Sequence, residues 1–285
     1  MFQKVKAFLE LIKFEHSIFA LPFAYLGLFL AEGGRPRFQI FAWVTLAMIA
    51  IRTSGMCLNR LIDQSIDEKN PRTQSRTSLM NLLHRSRIWS MTLISIAVFV
   101  FSAANLNRLC LALTPIPIAL VWIYPYLKRI TWSSHFVLGI ILGMAPIAGW
   151  LAAQPDGSAI PWLLGIAVAC WVSGFDMFYA LQDIEFDQAN RLQSFPAVFG
   201  VGLTLQMVRI LHGVTILALG FFGLSLHMGA WYWAGWLGAL FLIVREHSLV
   251  ARFGCAKINE AFFNMNAWVS VVIFLAVALD LNLHL

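Results

Sequence analysis

The sequence is short of charge. Asp, Glu, Lys and Arg make up 12% of its 285 residues, against about 25% in a soluble domain. With 60% hydrophobic residues, there is too little charge to cover a water-facing surface of this size. That excludes an ordinary soluble enzyme and makes the bilayer the expected solvent. Acid is scarcer than base: 14 Asp and Glu stand against 20 Lys and Arg, for a formal net charge of +6. In a soluble chain that excess would raise the question of nucleic acid. Here the basic residues fall in the short gaps between apolar runs, where they face lipid headgroups. Zinc-finger spacings and basic–aromatic interleaving are absent, so no nucleic-acid partner is expected, and no feature points to a protein partner. Cysteine is scarce too. Cys57, Cys110, Cys170 and Cys255 form no CxxC pair and lie mostly in apolar segments, which reads as free packing residues. The alternating ten-residue segments of a membrane β-barrel are also missing.

What the sequence has is long apolar runs. About nine are long enough to cross a bilayer: 15–31, 38–58, 88–106, 108–127, 133–153, 160–182, 203–226, 229–245 and 265–283. The expected fold is therefore an all-α integral membrane bundle of about nine transmembrane helices, one domain over residues 1–285. The opening MFQKVKAFLELIKFEHS is basic and amphipathic and contains Glu10 and Glu15, which fits a retained helix better than a cleaved signal. Counting Lys and Arg places the N-terminus and the gaps after spans 2, 4, 6 and 8 on one side. That side collects roughly fifteen basic residues, and the other only Arg35, Arg37 and Arg108. The basic side is expected to be cytoplasmic, in a cell (inner) membrane, with the C-terminus outside.

The acids that remain are not scattered. Asp63, Asp67 and Asn70 recur as Asp183, Asp187 and Asn190, each 120 residues later. Four spans separate the copies, so both fall on the cytoplasmic face, as a repeat about an axis along the membrane normal would place them. In CLNRLIDQSIDEKNPRT, Asn59, Asp63 and Asp67 are spaced by four and share one helix face. Like charges so stacked repel, and Mg²⁺, which bridges carboxylates to substrate phosphates, relieves that repulsion. In GFDMFYALQDIEFDQAN, Asp183 and Asp187 share a face, Asp176 lies two turns deeper and Tyr179 one turn above Asp176. Ionisable groups at such depth are costly and mark function by default. The plainer alternative is a solvated helix end at each place; two matching acid pairs on one side, each preceded by deeper polar groups, weigh against it. Arg72, Arg76, Lys128 and Arg129 fall in gaps on the same side. Metal ligands together with a cationic cluster suit a diphosphate, although Lys128-Arg129 also reads as an ordinary positive-inside anchor.

At these residues the chain resembles the UbiA superfamily of intramembrane prenyltransferases over nearly its full length. NRLIDQSIDEKNPRT resembles that family's first acidic motif and YALQDIEFD its second. YPYLKRIT resembles the segment between them, and KFEHSIFALPFAYLG the first helix. Within the superfamily the likeness is to quinone-pathway enzymes, both 4-hydroxybenzoate polyprenyltransferases and menaquinone-pathway relatives. SFPAVFG and IRTSGMCLNRLID resemble the latter. The resemblance implies a Mg²⁺-dependent transferase. Asp63, Asp67, Asp183 and Asp187 would hold the metal on a polyprenyl diphosphate, with Asn59 alongside. Arg72, Arg76 and Lys128 would grip phosphate oxygens. Arg52, Asp176 and Tyr179 would lie deeper, near a small aromatic acid acceptor; the chemistry such a transfer needs would have Asp176 polarise or deprotonate the acceptor hydroxyl and Arg52 pair with its carboxylate. One stretch departs from the family's pattern: RTSLMNLLHRS lacks the usual Pro and Gly after the basic residues, at a loop expected to form part of a cytoplasmic-side cap.

Other polar residues show less pattern. His84, His135, His212, His227, His247 and His284 have no paired metal spacing and read as structural or interfacial. His16 with Glu15 matches the family's first helix. Glu185 falls on another face from the aspartates and reads as solvated, whereas Arg209 is placed to turn toward the bundle interior. The competing functions are a secondary transporter, a UbiA-type enzyme acting on haem, chlorophyll or a lipid ether, and a scaffold without activity. A transporter would put its acids near the midplane on broken helices, not at helix ends beside a Lys/Arg cluster.

Overall fold

The computed structural model describes residues 2–254 and 258–283, and their regular structure is helical. Eight helices among them are long and apolar enough to cross a membrane. The remaining expected span, 15–31, falls on α2 (Phe14–Ala31), of which Ala20–Ala31 is an apolar stretch among the described residues. The chain divides into two compact units, Met1–Leu21 with Ala42–Tyr126, and Pro22–Phe41 with Leu127–Leu285.

The first unit is built on α3 (Phe38–Asp67), with α5 (Arg85–Ala104), α6 (Arg108–Leu113) and α7 (Pro115–Leu127). The apolar run 108–127 is two helical pieces, because Pro115 has no N–H to continue the ladder of α6. Two short helices, α1 (Phe2–Leu11) and α4 (Gln74–Leu83), pack together at the acidic end of α3. Ala7, Leu11 and Ile12 meet Met80 and Leu83 there, over Cys57 and Leu61 of α3 and Ile88 of α5. The stretch RTSLMNLLHRS, expected to be a loop, is thus largely the helix α4. Its spacing places Met80 and Leu83 on one buried face. His84, with φ 63° and ψ 134°, breaks the chain between α4 and α5.

The second unit contains α8 (Ser134–Ala153), α9 (Ile160–Ala180), a 3₁₀ turn (Leu181–Asp183), α10 (Ile184–Ala189), α11 (Phe195–Ser225), α12 (Ala230–Phe253) and α13 (Ile258–Leu283). α8 and α9 approach until backbones touch. A Cβ at Gly143 would sit 2.6 Å from the Gly165 carbonyl oxygen, and one at Gly139 would collide with the Ala169 carbonyl. Helices in lipid associate by this small-residue contact, since apolar burial gives no drive there. The apolar run expected over 203–226 is the part of α11 beyond Gly200, whose φ 76° and ψ 173° are not helical and set off a short piece that begins at Phe195. Outside the spans, Arg37 donates to both carboxylate oxygens of Glu32 at 2.9 and 3.0 Å, which holds that carboxyl below its ordinary pKa.

Buried Asp280 of α13 accepts from the backbone N–H groups of Gly229 at 2.7 Å and Tyr232 at 3.3 Å. It supplies from a distant helix the anion that the N-terminus of α12 lacks in its own sequence. Asp280→Ala is expected to cost about 2 kcal/mol, the scale of a lost helix cap with a charge-assisted bond. Thermal unfolding of the detergent-solubilised protein reads this as a lowered Tm.

Candidate active site

The first acidic motif ends α3. Asn59 donates to Asp63 Oδ2 at 3.0 Å, so the helix-face pairing expected from the spacing is realised. Asp63 and Asp67 are both buried, at 2% and 4% exposure. Beside them lies Arg60, counted in the sequence only as a basic anchor. Its guanidinium is 4% exposed. It donates to Asn59 Oδ1 at 3.1 Å and to the Leu11 carbonyl at 3.3 Å, and stands 3.6 Å from Asp67 Oδ2. Arg76 donates to Asp67 Oδ1 at 3.1 Å. The Thr73 hydroxyl donates to the Asp67 carbonyl at 3.2 Å, and the Arg72 N–H to Asn70 Oδ1 at 3.0 Å, closing the turn after the helix. Asp67 Oδ2 is buried without a hydrogen-bond partner. Deeper on α3, the Arg52 Nε is likewise buried without one.

The second motif lies across the 3₁₀ turn and α10. Asp183 closes the turn, and Asp187, buried on α10, accepts from the Ser194 hydroxyl at 2.5 Å. Asp183 and Lys128 lie within electrostatic range of Asp187. The loop that brings Ser194 back is tied twice: Leu192 N donates to the Asp187 carbonyl at 2.8 Å, and Gln193 N to the Lys128 carbonyl at 2.6 Å. This joins the YPYLKRIT segment to the second acidic motif through the backbone. Tyr179 packs, partly buried, against the core around Phe178 and Phe195. Asp176 accepts from His135 Nδ1 at 2.6 Å, and His135 Nε2 accepts from the Phe195 N–H at 3.3 Å.

Within the units, the structure therefore gathers Asn59, Asp63, Asp67, Arg72 and Arg76 at the end of α3, with Arg52 deeper in the same helix. In the other unit it gathers Lys128, Asp176, Tyr179, Asp183 and Asp187. Arg60, His135 and Ser194 join them without having been expected. Glu185 is exposed, as expected, but Arg209 is exposed too and does not turn inward. His212 and His247 pair at 3.0 Å, although they are 35 residues apart. The side chains of Glu15 and His16, and residues Cys255 and His284, lie outside the described ones. Among the described residues, no three His, Cys, Asp or Glu side chains gather as a metal site of their own. Two carboxylates per motif, one of them with a buried oxygen lacking a hydrogen bond, still suit Mg²⁺, which takes its other ligands from water and phosphate.

Residues 20–269 match the UbiA prenyltransferase family. The chain belongs to that family. A 4-hydroxybenzoate octaprenyltransferase of Coxiella burnetii is 29% identical over 280 residues, 97% of each chain. One from Francisella tularensis is 25% identical over 280 residues, 96% of each. The apo structure of a UbiA homolog from Aeropyrum pernix is 30% identical, over 93% of this chain and 98% of that one, with a TM-score of 0.85. A UbiA homolog from Archaeoglobus fulgidus bound to GPP and Mg²⁺ is 17% identical with a TM-score of 0.69, over 95% and 97% of the two chains, a likeness of fold alone. This protein is thus a multi-pass UbiA-type membrane enzyme, and the all-helical architecture read from its sequence is the one observed.

Proposed function

We propose that this enzyme transfers a polyprenyl group from polyprenyl diphosphate to 4-hydroxybenzoate or a hydroxynaphthoate, in ubiquinone or menaquinone biosynthesis. The whole chain acts as one domain, and the family match across both units supports that. The observation that carries the reading is on α3. Two buried atoms on side chains of opposite charge lack hydrogen-bond partners there: Asp67 Oδ2 at the helix end and Arg52 Nε deeper in. A buried carboxylate oxygen without a hydrogen bond, with the Arg60 guanidinium at 3.6 Å beside it, leaves room for a further cation, and a half-buried guanidinium whose Nε is unpartnered suits an anion. Metal-bound diphosphate at the rim and an acid acceptor within meet both demands.

In this reading Asp63, Asp67, Asp183 and Asp187 would hold Mg²⁺ on the diphosphate. When bound, the metal supplies positive charge to the leaving oxygens. Arg72, Arg76 and Lys128 donate to the phosphate oxygens; Arg76, which spends one nitrogen on Asp67, has further guanidinium donors available. The allylic C–O bond breaks and its electron pair leaves with the diphosphate. A ring carbon of the acceptor, activated by its hydroxyl, forms the new C–C bond and then loses its proton, which leaves with the released diphosphate. Asp176 takes the hydroxyl's hydrogen bond and raises the ring's electron density. Arg52 pairs with the acceptor carboxylate through the forked geometry that suits it. Tyr179 lines the acceptor end. Apolar helix faces exclude water from the allylic cation. The Lys/Arg bias supports a cell (inner) membrane location with N-terminus and active site on the cytoplasmic side.

The test is direct. Membranes containing the protein are incubated with geranyl diphosphate, Mg²⁺ and either 4-hydroxybenzoate or a hydroxynaphthoate, and products are read by mass spectrometry. Prenylated acceptor is expected, and it should disappear with EDTA and return with Mg²⁺. Product formation that EDTA leaves intact would contradict the metal assignment.

A further inference from the structure

His135 has no part in the chemistry above, yet it touches the acid that does. It lies in the first turn of α8, is 5% exposed, and meets Asp176 of α9 across 41 residues of sequence. Its two nitrogens have different partners. The backbone N–H of Phe195 can only donate, so Nε2, 3.3 Å away, must present its lone pair. The proton therefore resides on Nδ1, which donates to Asp176 Oδ2 at 2.6 Å. In this tautomer the imidazole donates to Asp176 Oδ2 and accepts from the Phe195 N–H.

We propose that His135 is the positioning residue for Asp176: it fixes one carboxylate oxygen so that the other is presented to the acceptor hydroxyl. The division of exposure fits this. The His135 side chain is 6% exposed and that of Asp176 21%, so the acid is the open end of the pair. A neutral donor suits the task. An Arg or Lys in its place would orient the carboxylate but also neutralise it, and so weaken it as an acceptor of the hydroxyl proton. The backbone N–H that sets the tautomer belongs to Phe195, and the preceding residue, Ser194, donates to Asp187. The start of α11 thereby ties the deep acid and the rim acid of one unit to a single piece of backbone. The pairing is invisible in the sequence, because it joins two helices and follows no helical spacing. It rests on the role given to Asp176 under the proposed function.

The experiment measures kcat and both KM values with geranyl diphosphate, Mg²⁺ and the prenylated acceptor. The variants are Asp176→Asn, His135→Ala, His135→Asn, His135→Gln and the double variant Asp176→Asn/His135→Ala. His135→Ala is expected to lower kcat about 10- to 100-fold, the scale on which losing an orienting partner acts, with the diphosphate KM unchanged. The amide nitrogen of Asn is two bonds from Cβ, as Nδ1 is, so His135→Asn keeps a donor for Asp176 and most of the turnover. The Gln amide is one bond further out, where Nε2 sits, so His135→Gln should resemble Ala. The double variant should be no slower than Asp176→Asn alone, since His135 acts through that acid. A slow Asp176→Asn beside a full-speed His135→Ala would overturn this inference and leave the proposed function standing. A full-speed Asp176→Asn would overturn it together with the role of Asp176. If His135→Ala fails to fold, the Asn and Gln variants decide: Asn faster than Gln supports the inference, and Gln equal or faster overturns it.

Discussion

Asp63→Asn and Asp183→Asn are each expected to lower turnover by about 10³-fold or more while leaving the protein folded in the membrane. Losing one preorganised group that stabilises developing charge costs about 10²–10³-fold, and a metal ligand also affects occupancy of the metal. Asn keeps the size of the side chain and a carbonyl oxygen but removes the negative charge, so the variants report on charge and not on packing. For Asp63 the hydrogen bond with Asn59 has an oxygen to re-form on, which should preserve α3. Turnover with saturating geranyl diphosphate and Mg²⁺, normalised to monodisperse protein, reads the loss. Raised Mg²⁺ should recover part of it if occupancy is limiting.

Arg52→Met separates binding from stability in opposite directions. Arg52 keeps a buried Nε without a hydrogen-bond partner, which the folded protein tolerates at a cost. Met is of similar length, apolar and flexible enough to fill the space. The apo protein should therefore unfold at a higher Tm. The acceptor would lose its carboxylate partner, a loss of about 2–5 kcal/mol for a desolvated charge pair. Acceptor KM should rise steeply while diphosphate affinity is unchanged, and an acceptor without the carboxylate should be penalised far less. A lowered Tm with unchanged acceptor KM would make Arg52 a structural residue.

The fold was legible because its signal is long and redundant: each span carries an apolar run, and an error of a few residues at either end does not change its identity. The details lost were local breaks. α10 is separated from α9 by a 3₁₀ turn ending at Asp183, and α11 begins at Phe195 and bends at Gly200. Both follow from backbone geometry that an unbroken apolar run conceals. The divergent stretch from Arg76 lies where the family's pattern places a Pro- and Gly-containing loop, yet without those breakers it is helical and its Met80 and Leu83 close a small core with α1.

For the site, acids spaced by four could be read because a helix converts spacing into proximity. Asn59 and Asp63 are the instance. Partners from other elements could not. Arg60 counted as one more basic anchor, although burial beside Asp67 and the reach to the Leu11 carbonyl make it internal. His135 and Ser194 find Asp176 and Asp187 only when α8, α9, α10 and the start of α11 are packed. His212 and His247 lacked any common spacing and still pair.

The proposed function requires Asp63, Asp67, Asp183 and Asp187 all to serve one metal–diphosphate site. Mn²⁺ binding, followed by electron paramagnetic resonance in the presence of an unreactive geranyl thiolodiphosphate, tests it most directly. The account predicts tight Mn²⁺ uptake by the wild type that depends on the analogue, and loss of that uptake in both Asp63→Asn and Asp183→Asn. Analogue-dependent uptake that survives either substitution at full affinity would contradict it.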